Sequence, residues 1–271
     1  MKSLTRQSLF LRLPVERVNG GRPSRCRIFG NEKGGSMRRA SLWSVTVVSA
    51  LLVFGGMPAS ATQASESTIG ALVTRLFIID SFSGTSIDRN VWGWYGTNPP
   101  DDVTLTEAGG ALRVDVSGSA GNDFNASLGT RCKVRGDFDA QLSFSLLVWP
   151  PKNGVWVSLM AADTGGFNVY RVSWQFGDGE AYGAYLPPEG TSLSASGNKG
   201  VLRLARRGSI WSGYYLSGLR WVPILSGVGP TGDVALSPGV FNISGATPFG
   251  GMPTTVVLNG FAAFAARVVC P

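Results

Sequence analysis

Residues 134–150 read VRGDFDAQLSFSLLVWP, the longest run of two-residue alternation in the chain. Phe138, Leu142, Phe144, Leu146 and Val148 fall on one side of this stretch. Gln141, Ser143, Ser145, Leu147 and Trp149 fall on the other. Successive side chains of a strand point to opposite faces, so the stretch is a strand with one apolar and one small polar side. Strands of this kind sit in antiparallel sheets that pack one face and leave the other open. The open, polar side is where function is to be sought.

The same reading extends outward. Strands are expected at 76–82, 103–106, 111–116, 125–128, 131–149, 155–161, 168–176, 182–186, 201–205, 209–216, 220–225, 234–241 and 255–269. Turn chemistry separates them: Asn98-Pro99-Pro100-Asp101, Gly109-Gly110, Lys152-Asn153-Gly154, Gly177-Asp178-Gly179 and Arg207-Gly208-Ser209. Glycine and asparagine supply the positive φ that tight hairpins need. No segment sustains an apolar period of 3.6, and the Ala-rich stretch 260–267 is read as a last buried strand. The fold class is all-β, an antiparallel β-sandwich or jelly roll of two curved sheets.

Charge is unevenly spread. The chain carries a net +7, but residues 1–61 hold ten Lys+Arg and two Asp+Glu, whereas residues 62–271 hold fourteen and fifteen. The basicity lies in the leader, and the body has no electrostatic footprint for nucleic acid. Within the leader, Met37-Arg38-Arg39 precedes an apolar run from Leu42 to Phe54, too short for a comfortable membrane span. Small residues follow, with cleavage expected after Ala61 or Ala64. The expected organisation is 1–36 as an upstream extension, 37–64 as a signal peptide, 65–75 as a linker and 76–271 as one β domain. A secreted or cell-envelope protein results, a monomer with no stable membrane span after cleavage. Of three cysteines, Cys26 lies in the leader. Cys132 and Cys270 are left for one disulfide, the natural state in an oxidising compartment.

A resemblance adds to this reading. Asp80-Ser81-Phe82 leading to Trp92, Gly109-Gly110-Ala111-Leu112, Gly136-Asp137-Phe138 and Leu202-Arg203-Leu204-Ala205-Arg206-Arg207-Gly208 occur in that order, followed by Trp211, Tyr214, Tyr215 and Trp221. In this order they resemble the concanavalin A-like lectin/glucanase superfamily over nearly all of 76–269. The resemblance implies two curved sheets with a concave face that often binds glycans. It also implies calcium in many members, for which Asp80, Asp88, Asp101, Asp102 and Asp123 are the candidate ligands here. No other cofactor is expected.

Chemistry is constrained by what is missing. The chain has no histidine, which excludes Ser-His-Asp and Cys-His catalysis and His-ligated zinc. Glycosidases need two carboxyl groups at set separations. Asp137/Asp139 and Asp178/Glu180 have the i, i+2 spacing, yet both pairs stand in turns or at a sheet rim. The alternating Glu-Asp-Glu strand of the superfamily's glucanases is absent. No catalytic residue is therefore assigned. The expected role is a non-catalytic carbohydrate- or surface-binding domain whose partner is a glycan or cell-surface polysaccharide. The alternatives are a glycoside hydrolase relying on Asp or Glu, and a structural envelope domain without a small ligand. The expected binding face joins Gln141 with Trp156, Ser158, Arg171, Gln175 and Arg203. There Trp156 would cover a sugar ring, and the polar groups would bond its hydroxyls.

Overall fold

The computed structural model describes residues 76–99, 101–162, 166–175, 179–243 and 247–271. The expected leader, signal peptide and linker, and also Phe176 and Asp178, lie outside the described residues. Fifteen strands, numbered in chain order, form two antiparallel sheets, and no helix occurs among the described residues. This is the all-β sandwich expected from the alternation.

The first sheet runs β13 (Arg220–Val228), β12 (Ile210–Ser217), β11 (Lys199–Arg207), β6 (Lys133–Val148), β15 (Thr254–Val269), β4 (Ala111–Val116) and β3 (Val103–Ala108). Its eighth strand, β1 (Leu76–Asp80), pairs with the later part of β15. The second runs β10 (Glu189–Ser194), β9 (Glu180–Leu186), β8 (Asn168–Ser173), β7 (Trp156–Ala161), β14 (Leu236–Phe241), β5 (Asn125–Thr130) and β2 (Trp92–Asn98).

The opening stretch is the spine of the first sheet. β6 and β15, each 16 residues long, pair from Val148 opposite Thr255 to Lys133 opposite Val269. Cys132 and Cys270 stand just beyond the last pair and form a disulfide. Phe138, Leu142, Phe144 and Leu146 are buried as their alternation requires, together with Ala140. They meet Leu202 and Leu204 of β11 and Val157, Leu159, Val169 and Leu236 of the facing sheet in one core cluster. Val148, expected inside, is 45% exposed. A register shift beside its partner Thr255 breaks the alternation there.

Gly109 and Gly110 join β3 to β4 with φ of 65° and 82°. Both values are positive, as a two-residue hairpin turn matched to strand twist demands. Two strands depart from the expected set. β2 and β10 were not anticipated, for reasons taken up below.

Candidate functional site

The face of the seven-stranded sheet turned away from the core is built from three rows. Two cross all seven strands in register, and the third is interrupted between Gly129 and Ser237. The middle row runs Gly96, Ser127, Gly239, Ser158, Tyr170, Gly183 and Ser192, each directly opposite the next. Its first four members are glycine or serine, so four adjacent strands lack any large side chain there. The result is a furrow in side-chain size that ends at Tyr170. Gly96 at its open end is exposed, whereas Ser127, Gly239 and Ser158 are buried. The ring of Tyr170 lies over Gly183, where a β-carbon would collide with it. Burial pushes the Tyr170 phenol up to about 12.

One flank of the furrow is Asn98, Asn125, Phe241 and Trp156. Trp156 packs against Tyr170 at 4.2 Å between ring centroids, against Trp174 at 5.1 Å and against Phe241 at 6.0 Å. These rings, with Val172 and Ala181, form a second apolar cluster on this face. The other flank begins at Trp94, which stands opposite Gly129, and continues through Ser237 and Met160. Trp94 is 45% exposed, whereas Trp156 is only 6% exposed. Of the two tryptophans Trp94 is thus the open one, and Trp156 props the wall. Tyr185, farther along the same face, is 37% exposed. Trp94 was missed because Trp92, two residues earlier, is a core residue, and a register shift between the two turns Trp94 outward. The glycine opposite it was the one sequence signal, since a tryptophan folded over a strand glycine is a recognised pairing.

Three buried side-chain atoms on this face lack a hydrogen-bond partner: Trp156 Nε1, Ser158 Oγ and Asn168 Oδ1. Nearly all buried polar atoms are paired in native proteins, so such orphans need an explanation. No Asp, Glu, Lys or Arg occupies the three rows. The face offers aromatic surface, hydroxyls and amides, and no acid–base pair.

The expected site residues divide over three places. Trp156 and Ser158 share the face just described. Gln141 and Arg203 are directly opposite each other, but on the outer face of the eight-stranded sheet. Arg171 lies on neither outer face. It is 1% exposed and shares its side of β8 with the core residues Phe167 and Val169. Gln175 follows the end of β8, and its backbone N–H donates to Thr247 Oγ1 at 3.1 Å. The single binding face expected for these six residues is therefore not formed. The physical reason is topological: the neighbours of β6 are β11 and β15, and the chain crosses to the other sheet before β7.

Arg171 is held where it is through its terminal nitrogens, while its buried Nε has no hydrogen-bond partner among the described residues. It pairs with Glu180, donates to Val172 O at 2.7 Å and lies over the rings of Tyr182 and Trp149 at 5.5 and 5.8 Å. Trp149 Nε1 donates to the same Glu180 carboxylate at 2.8 Å. Arg203 bonds Asp139 through Nε at 2.9 Å and lies between the rings of Tyr214 and Trp221. Its hydrogen bond to Asp139 raises its pKa. Asp137 accepts from Gly208 N–H at 2.7 Å. The Asp137/Asp139 pair is thereby committed to holding the β11–β12 turn and an arginine.

Three of the five carboxylates named for calcium accept hydrogen bonds within the fold. Asp80 accepts from Phe82 N–H at 2.7 Å and from Trp92 Nε1 at 2.6 Å, Asp88 from Asn90 N–H, and Asp102 from the Ser119 hydroxyl. Among the described residues, no three of Asp, Glu, Cys and His are grouped to hold a metal ion.

No family model matches the chain, and no curated protein matches it. Solved structures do. A prokaryotic β-1,3-1,4-glucanase (lichenase) from a mouse hindgut metagenome matches at a TM-score of 0.50 and 11% identity, over 70% of this chain and 99% of that one. An uncharacterized protein from Mycobacterium paratuberculosis matches at 0.50 and 10%, over 68% and 98%. The exoplasmic/lumenal domain of VIP36 matches at 0.49 and 9%, over 72% and 95%. The fold is the concanavalin A-like jelly roll. At these identities the likeness is one of fold, and function has to be argued from the site.

Proposed function

We propose that this protein is a non-catalytic carbohydrate-binding jelly roll. Its ligand lies across Trp94 and the exposed Gly96 end of the furrow, with Trp94 as the ring on which a sugar stacks. One observation carries the reading: an exposed indole beside a furrow of small residues, in rows that hold no carboxylate among the described residues. Aromatic rings cover the apolar faces of sugars while hydroxyl and amide groups take their hydroxyls. Asn98 and Asn125 supply the amides. Glycoside cleavage requires two carboxyl groups flanking the bond, and the described rows of this face hold none.

The same reading makes the protein secreted or envelope-bound and monomeric. The Cys132–Cys270 disulfide supports an oxidising compartment. Among the described residues no helix is long and apolar enough to cross a membrane. A glycan array spanning plant, microbial and host glycans tests the binding claim. At least one neutral glycan is expected to be retained, and a silent array overturns the claim. Reducing-sugar release from the polysaccharides that bind tests the non-catalytic claim. None is expected, and sustained release would establish a hydrolase.

A further inference from the structure

A second surface feature lies on the other sheet. The outer side of β6 that alternation marks as polar forms, with β11 and β15, the floor of a shallow depression of about 490 Å³. Ser145 stands opposite Lys199, and Ser143 opposite Val201. On the far side of β6 the register slips between Leu258 and Gly260, which leaves Asn259 outside the ladder. A bulge re-aims the residue it frees. Here the Asn259 amide donates to Ser145 Oγ at 2.9 Å. The Ser145 hydroxyl, already accepting, keeps its own proton for another partner. Leu216 of β12 and Val201 form an apolar wall.

Lys199 is exposed and makes no ion pair among the described residues. Asp139 does not offset it, because it stands six residues along β6 from Ser145, about 20 Å away, and is shared between Arg203 and Arg207. This part of the outer face therefore carries excess positive charge.

We propose that this depression binds a carboxylate-bearing sugar, a uronate unit of an acidic glycan. The carboxylate pairs with the Lys199 ammonium, a sugar hydroxyl accepts from Ser145 Oγ–H, and another donates to Asn259 Oδ1. The apolar side of the ring rests on Leu216 and Val201. A charge-assisted bond supplies the discrimination between acidic and neutral sugars. The site lies on the opposite sheet from the furrow, so the two readings stand or fall separately.

Titration calorimetry of the full secreted protein with tri-galacturonate tests this. Binding is expected in the wild type and should weaken about tenfold or more in Lys199→Gln. It should survive in Lys199→Arg and in Trp94→Ala. Lys199 is exposed, so Lys199→Gln is expected to keep the wild-type circular dichroism. The proposal is overturned if tri-galacturonate does not bind, if its binding is unchanged in Lys199→Gln, or if Trp94→Ala abolishes it. It is equally overturned if inorganic phosphate competes as effectively as the sugar acid, which would reduce the depression to a simple anion site.

Discussion

The indole of Trp94 lies over its cross-strand partner Gly129, in space that a β-carbon at Gly129 would occupy. The glycine lets the ring settle against the sheet with its outer side open to solvent. Gly129→Ala would push the indole off the sheet. Forcing a methyl group into a filled space costs about 1–3 kcal/mol. A lower urea midpoint is expected together with weakened glycan binding. Unchanged binding in a destabilised variant would separate Trp94 from the ligand.

Arg171 is a buried cation whose one carboxylate partner among the described ion pairs is Glu180. Removing one member of a buried pair leaves an uncompensated charge, at a cost of about 3–5 kcal/mol. Glu180 is partly exposed, so Glu180→Gln is expected at the low end of that range. Its amide keeps an acceptor for Trp149 and loses the charge. Equilibrium denaturation reads the effect, and a change near zero would mean that the backbone carbonyls and rings suffice to hold Arg171.

The alternation in 134–150 was enough to give β6, its core side and the all-β class. It was not enough to say which sheet β7 and β8 join. Parity on β8 was legible, with Tyr170 and Val172 on one side and Arg171 and Ser173 on the other. Which side faces the core was not. An arginine looks outward on composition, yet here Glu180, two carbonyls and two rings hold it inside. β10 escaped notice because all six of its residues are exposed, so no alternation exists to read. β2 escaped because the register shift between Trp92 and Trp94 disrupts its period. The candidate site suffered most, since Trp94 lies on that strand.

The disulfide joins residues 138 apart and clamps the end of the β6–β15 ladder. Restricting so long a loop in the unfolded chain is worth about 4–5 kcal/mol in the loop-entropy picture. Cys132→Ser/Cys270→Ser is expected to lower the denaturation midpoint substantially and to retain the β spectrum. Equal midpoints with and without reductant for the wild type would contradict the clamp.

Glu107 provides a pH signature. It is buried, its Oε1 accepts from Gly84 N–H at 2.9 Å, and its Oε2 has no partner. Burial, and then the nearby charge of Asp80, raise its pKa above the ordinary 4.5. The folded state therefore holds this proton more tightly than the unfolded chain. Its contribution to stability is present below the unfolded pKa and is lost as pH rises through the folded value. Asp115, whose pKa is lowered by its hydrogen bond with Arg113, acts in the opposite sense. Comparison of wild type with Glu107→Gln isolates the effect. The variant should gain on the wild type as pH rises from 4 towards 7, and a pH-independent difference would contradict the assignment.

The most direct test of the central claim is a neutral-glycan array run side by side with wild type and Trp94→Ala, each checked for an unchanged circular dichroism spectrum. The wild type is predicted to retain at least one glycan. The variant is predicted to lose it by about 2 kcal/mol, some thirtyfold, as expected for a central stacking tryptophan. A wild-type array without signal, or a folded Trp94→Ala protein that binds as the wild type does, would contradict the account.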